Sequence, residues 1–148
     1  MHYERRKGGF EVSTDPGRLD VAAVHAFLTQ AYWSVGIPRD LVERALANSL
    51  CFGLYAADGQ VGLARVISDR ATFAYLCDVY VLPEWRGRGL GRWLMECVMD
   101  HPELAGVRRF ILVTRDAHEL YRPFGFGEPA GPEGYMEIAP PDPYLKQG

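Results

Sequence analysis

No apolar run in this sequence approaches the roughly 18 residues that a membrane-spanning helix needs. Positive charge is also short. The formal net charge is -3, so no general basic field recruits nucleic acid or an anionic membrane, and any anionic ligand must be held by a local feature. Cysteine is scarce. Cys51, Cys77 and Cys97 form no CxxC or zinc-type spacing, which argues against a metal site or a disulfide framework. Their odd number, and a polar Met1–Lys7 with no apolar segment after it, point to reduced thiols in a cytoplasm. Each thiol sits in an apolar stretch without a neighbour to lower its pKa, so core packing is expected of all three. No repeat, low-complexity tract or linker divides the 148 residues, and residues 1–148 are expected to form one domain with one core.

Hydrophobic periodicity outlines that domain. Phe10 to Ser13 reads as a short strand, followed by a turn at Asp15-Pro16-Gly17. From Asp20 to Trp33, Val21, Val24, Leu28, Ala31 and Tyr32 recur at helical spacing, with Asp20 as N-cap. Gly36-Ile37-Pro38 breaks this helix. A second follows over Arg39 to Asn48, with Leu41, Ala45 and Leu46 on one face. Cys51 to Ala57 and Gln60 to Ser68 read as strands joined by a hairpin turn at Asp58-Gly59. Ala71 to Leu82 is a third strand and runs into a glycine-rich loop. The helix after that loop places Leu90, Trp93, Leu94, Cys97 and Val98 on one face, and His101-Pro102 closes it. Arg109 to Val113 is another strand. A helix then begins at a capping box of Asp116 and Glu119, runs to Phe124 and ends on Gly125. Tyr135 to Ile138 reads as a last strand, ahead of a proline-rich tail lying on the surface. The fold class is α/β, with a mixed sheet built first by hairpins and later by a strand-helix-strand crossover.

The loop Arg86-Gly87-Arg88-Gly89-Leu90-Gly91-Arg92 joins a strand to a helix start. The first N–H groups of a helix lack internal partners and carry the positive end of its dipole. Glycines let backbone approach a phosphate closely, and three arginines add charge, so the loop suits a pyrophosphate. Neither common nucleotide loop fits. No Gly-Lys-Ser/Thr is present, and the third glycine of a dinucleotide fingerprint is replaced by Arg92 or Leu94, depending on the starting glycine.

The stretch from Val79 to Arg92 resembles the acetyl-CoA motif of the GNAT acetyltransferases: Gln or Arg, two variable residues, Gly, one variable residue, then Gly or Ala. Arg86, Gly89 and Gly91 match it. Leu120-Tyr121-Arg122-Pro123-Phe124-Gly125-Phe126, one strand and one helix later, resembles the family's Leu-Tyr-x-x-Phe-Gly-Phe segment. The resemblance covers about 55 residues in motif detail. It implies acetyl-CoA as co-substrate, with pantetheine along Val79, Tyr80 and Val81. The pyrophosphate would lie on the amides of Gly87, Arg88, Gly89, Leu90, Gly91 and Arg92, beside the Arg86 side chain. Thr114 falls where the family often has a cofactor-contacting Asn. Members often dimerise, so a homodimer is an open expectation.

The resemblance further implies transfer of the acetyl group to an amine by direct attack in a ternary complex. That chemistry needs a neutral amine, a donor facing the thioester oxygen, and a proton for the departing thiolate. Tyr121 is the candidate acid, since a phenol stays protonated at neutral pH; the alternative is a core tyrosine. Asp78, a carboxylate in an apolar strand, needs a partner. It is a candidate base, a site for a cationic substrate, or a structural partner of Arg65. His118 and His25 are weaker candidates for the base. Strand alternation would place Phe73, Tyr75, Cys77, Val79 and Val81 on one face and Leu76, Asp78 and Tyr80 on the other. Tyr32 and Trp33 either line the acceptor site or pack in the core. Two other classes remain open: a CoA-binding sensor without catalysis, and a nucleotide-binding module.

Overall fold

The computed structural model describes residues 2–145. Six strands form one sheet in sequence order: β1 (Glu4–Lys7), β2 (Phe10–Ser13), β3 (Leu50–Ala56), β4 (Gly59–Ser68), β5 (Phe73–Val81) and β6 (Arg109–Leu112). Neighbours are antiparallel except β5 and β6, which run parallel. A parallel pair needs a crossover, and α3 (Leu90–Asp100) supplies it. Two helices, α1 (Val21–Leu28) and α2 (Arg39–Ala47), separate β2 from β3. The short α4 (His118–Tyr121) follows β6. The mixed α/β sheet is as expected.

The core is double. On one face α3 buries Trp93, Leu94, Cys97 and Val98 against Phe52, Leu54, Ala64, Val66 and Leu76. On the other, Val24 and Leu28 of α1 and Val42 and Leu46 of α2 cover Cys51, Leu63 and Tyr80. Burying side chains of this size contributes roughly 1.5–3 kcal/mol each before entropy is counted, so the sheet is held from both sides.

Several boundaries differ from the sequence reading, each for a local reason. The polar hairpin partner β1 carries no apolar alternation, all four of its residues being exposed, and periodicity does not show it. The hairpin turn is centred one residue earlier than expected, because Ala56 pairs with Gly59 and leaves Ala57-Asp58 as the connection. The expected first helix stops at Leu28 rather than Trp33. Asp20 does cap it, accepting from the Ala23 amide at 3.0 Å. At the far end the buried Ser34 hydroxyl donates to the Leu28 carbonyl at 2.7 Å, capturing an acceptor that the next helical turn would use. The second helix agrees with the expectation to within a residue, but buries Val42 and Leu46 rather than Leu41 and Ala45.

The last helix begins at His118, not at an Asp116–Glu119 capping box. Thr114 Oγ1 accepts from the Ala117 amide at 3.0 Å, and Asp116 turns to Arg115 at 3.4 Å. A 3-10 turn over Arg122–Phe124 follows, and Gly125 ends it at φ +100°, as the motif requires. Tyr135 to Ile138 forms no strand. Pro132 before it and Pro140 and Pro141 after it remove backbone donors on both sides, leaving too short a run for a ladder. The segment instead lies on the surface, with Tyr135 under Arg109 and Leu145 against the loop at Gly36.

Candidate active site

The β5–β6 ladder runs from Phe73–Arg109 to Leu76–Leu112 and stops. From Cys77 to Val81, β5 keeps β4 on one edge and, among the described residues, has no ladder partner on the other. The strands part because β5 carries a bulge. Asp78 sits at φ +50°, and the register with β4 shifts by one between Leu63–Tyr80 and Arg65–Cys77. A bulge inserts one unpaired residue and bends the strand.

The bulge also breaks strand alternation. Ala74 and Leu76 before it, and Val79 and Val81 after it, pack on the α3 side, while Tyr80 packs on the α1–α2 side. The expected grouping of Cys77 with Val79 and Val81, and of Leu76 with Tyr80, is therefore wrong. One inserted residue inverts the parity of everything beyond it.

A cleft of about 670 Å³ opens where the strands diverge. Its walls include Tyr32, Trp33, Asp78, Val79, Tyr80, Val81, Arg86, Gly87, Gly89, Leu90, Gly91, Thr114 and Tyr121. Of the residues singled out in the sequence, Arg88 and Arg92 are not on its wall. Arg88 stacks over Trp85 at 4.9 Å, and Arg92 pairs with Glu96 at 3.7 Å on the outside of α3.

At one end lies the loop before α3. Gly87 and Gly89 take φ +80° and +77°, a region side chains rarely adopt, and nothing lies within 4 Å of where a Cβ would sit. No acceptor among the described residues takes the amides of Gly87 to Arg92, and the ladder of α3 begins only with Trp93 donating to Gly89. These free donors, at the positive end of an eleven-residue helix, form an anion cradle. The Arg86 Nε donates to the Val81 carbonyl at 2.8 Å, tying the loop to the end of β5.

At the other end, Asp78 is enclosed. Its Oδ1 accepts from the Trp33 indole at 2.8 Å and its Oδ2 from Arg65 Nε at 2.8 Å, while Arg65 also reaches the Ser49 hydroxyl at 3.0 Å. Burial works against the Arg65 charge, but Asp78 together with Cys77 and Cys51 outweighs it and the pKa is raised. Trp33 meets Tyr32 edge to face at 5.1 Å, and Phe27 stacks on Tyr80 at 3.8 Å. Tyr121 is nine-tenths buried, with Phe126 against its ring at 6.1 Å. Burial pushes its pKa up to about 12, with Tyr32 adding to the rise. Thr114 borders the cleft with its hydroxyl accepting from the Ala117 amide in the turn before α4.

His118 is exposed outside the cleft, and His25 contacts the Ile37 carbonyl at 3.0 Å. Cys51 and Cys97 are buried as expected, and burial pushes the Cys51 and Cys77 thiols up to about 12. No group of three or more metal-ligating side chains occurs among the described residues.

The comparisons with known proteins bear on this same arrangement. A domain model described as Acetyltransferase (GNAT) domain matches residues 47–128, more than half of the chain and all of the cleft except the α1 side. The chain belongs to the GNAT acetyltransferase family. A provisionally named acetyltransferase of Gibberella zeae, FG08082, is 37% identical over 156 residues, covering 89% of this chain and 84% of its own length. A crystal structure of a protein assigned to the GNAT family from Xanthomonas campestris superposes with a TM-score of 0.92 at 50% identity, over 95% of this chain and 100% of that one. A Staphylococcus aureus protein, SA2161, gives 0.70 at 29% identity, over 88% and 98%.

In this GNAT domain the sequence reading missed Arg115, Phe27 and Tyr75 as cleft residues. Arg115 had a signal: it follows the carboxyl end of a strand in a parallel pair, where open sheets gather ligands. Phe27 and Tyr75 had none, since an aromatic side chain within a helix or strand run most often packs in a core.

Proposed function

We propose that this chain moves the acetyl group of acetyl-CoA to a primary amine by direct attack in a ternary complex. The observation that carries this reading is a single cleft with the free amides of the Gly87–Arg92 loop at one end and Tyr121, Tyr32 and Trp33 at the other. A pyrophosphate and a reacting group bound in that cleft would share one volume.

The residues fit the co-substrate. The loop amides would hold the pyrophosphate, with Arg86 beside them. The open edge of β5 at Val79, Tyr80 and Val81 would take the amide-bearing pantetheine arm as a strand takes its neighbour. Acetyl-CoA would supply an activated acetyl group and a thiolate leaving group.

The chain's own residues then have distinct tasks. Tyr121, protonated throughout the neutral range, holds a proton for the departing sulfur. Asp78 has both oxygens engaged, so in this reading it fixes Trp33 and Arg65, and a base role would first require it to release one of them. The proton of the attacking ammonium leaves through water in the open cleft. Tyr32 and Trp33 border the acceptor. Thr114 contributes by fixing the turn into α4, next to Tyr121. The direct test is acetyl-CoA turnover against a panel of primary amines, with CoA release measured. Tight CoA binding without turnover of any amine would reject catalysis and leave a CoA-binding module.

A further inference from the structure

We infer that the acceptor amine carries a carboxylate of its own, and that Arg115 receives it. This rests on the acetyl-transfer reading above and narrows its substrate. The charged groups on the cleft wall are Asp78, Arg86, Arg115 and Asp116. Arg86 belongs to the loop end and is tied to the Val81 carbonyl. Asp78 is neutralised by Arg65 through a 2.8 Å contact, with the two side chains only 16% and 10% exposed. The acceptor end is left with Arg115 and Asp116.

These two are not equivalent. The Arg115 guanidinium lies 3.8 Å from the centroid of the Tyr32 ring. Stacking uses the flat face of a guanidinium and leaves its rim of N–H donors free. Among the described residues its one polar contact is a 3.4 Å approach to Asp116, between side chains 63% and 67% exposed. An exposed pair of this kind is worth little and exchanges readily. A ligand carboxylate can take the rim in a two-pronged contact, which is stronger and more directional.

A polycationic acceptor fits poorly. Asp78 is held by Arg65 and Trp33, and the Arg115 charge beside Asp116 would repel a further ammonium brought to that end. The rest of the acceptor end is aromatic: Tyr32, Trp33 and Phe27, with Trp33 fixed by its bond to Asp78. The acceptor this end suits is a small aminocarboxylate with an apolar body. Its carboxylate would lie on Arg115, its body on Tyr32 and Trp33, and its amine toward Tyr121.

The test uses matched pairs, an amino acid and its carboxamide, with aliphatic and aromatic side chains, at saturating acetyl-CoA. The wild-type protein should use the acids. Arg115→Gln should raise KM for an acid by about tenfold or more, the loss expected for a hydrogen bond to a charged group. It should leave KM for the amide within about twofold, and Arg115→Lys should recover part of the loss. Affinity for CoA by calorimetry should not change in either variant. Equal effects on acid and amide, or a wild-type enzyme that acetylates only polyamines and neutral amines, would overturn the assignment of Arg115 while leaving acetyl transfer intact. If no amine of any class is acetylated, the parent reading fails and this one with it.

Discussion

Two side chains carry the residue-scale argument, Tyr121 and Asp78. Tyr121→Phe keeps the ring and its contact with Phe126 but removes the O–H. Stability and CoA affinity should change little, because the lost proton matters in the transition state. Single-turnover rates should fall by roughly 10²-fold, the low end for general acid catalysis. A wild-type rate in that assay would make Tyr121 a packing residue. For Asp78 the expectation concerns stability. Removing one member of a buried ion pair strands the other, at a cost on the order of 3 kcal/mol. Arg65→Met and Asp78→Asn should each lose that order of stability, and the double variant less than their sum. Urea unfolding of all four proteins would show it, and strictly additive losses would mean that the pair does not interact energetically. The need for a partner was legible in the sequence, because a carboxylate in an apolar strand cannot stand alone. That Trp33 would be a second donor was not, since 45 residues and a turn away from helical spacing separate them.

At the scale of elements, the loop before α3 was the most legible part of the candidate site. Its glycines, arginines and position between strand and helix are all local properties. Gly89→Glu places a side chain at φ +77° and a negative charge among the free amides. CoA binding should be lost while the fold survives, since the space around that position is open. Calorimetry with undiminished affinity would remove the loop from the site. The arginines should separate. CoA binding should weaken as salt rises, because the attraction is screened. Arg86→Ala should reduce both affinity and that salt dependence, whereas Arg92→Ala, on the outer face of α3 with Glu96, should leave both close to wild type. An equal loss from the two would mean that Arg92 leaves Glu96 for the ligand. The ends of α1 and α4 were not legible. Ser34 and Thr114 set them with side-chain bonds that compete with the helix ladder, and such bonds do not alter the hydrophobic pattern.

For the whole molecule, burial of titratable groups on both faces of the sheet sets the response to alkali. Burial pushes Cys51 and Cys77 from 9.0 up to about 12, and Tyr55 and Tyr121 from 10.0 up to about 12. Folded values above unfolded ones mean that the native state holds these protons longer. Their stabilising contribution is complete below pH 9 and is lost as pH rises from there toward 12. The melting temperature should therefore be level from pH 7 to about 8.5 and fall steadily above 9, as scanning calorimetry would record. Cys51→Ala should flatten the first part of that fall. A melting temperature unchanged to pH 11 would contradict the buried state of these groups.

What the sequence determined by itself was local. The extent of α2, the apolar spacing of α3, the strand runs of β2 to β6, the loop glycines and the Leu120–Phe126 segment each depend on neighbours within a turn or a strand, and each was readable. The tertiary structure decided what depends on another strand. The bulge at Asp78 exists only in the register with β4, yet it reverses the facing of Tyr80, Val79 and Val81 and parts β5 from β6. The cleft is the consequence of that parting. Its end at Asp78 is assembled from the turn after α1, the bulge and the turn after β6, three segments whose meeting no single stretch of sequence encodes, because it follows from how the two cores close on either side of the sheet.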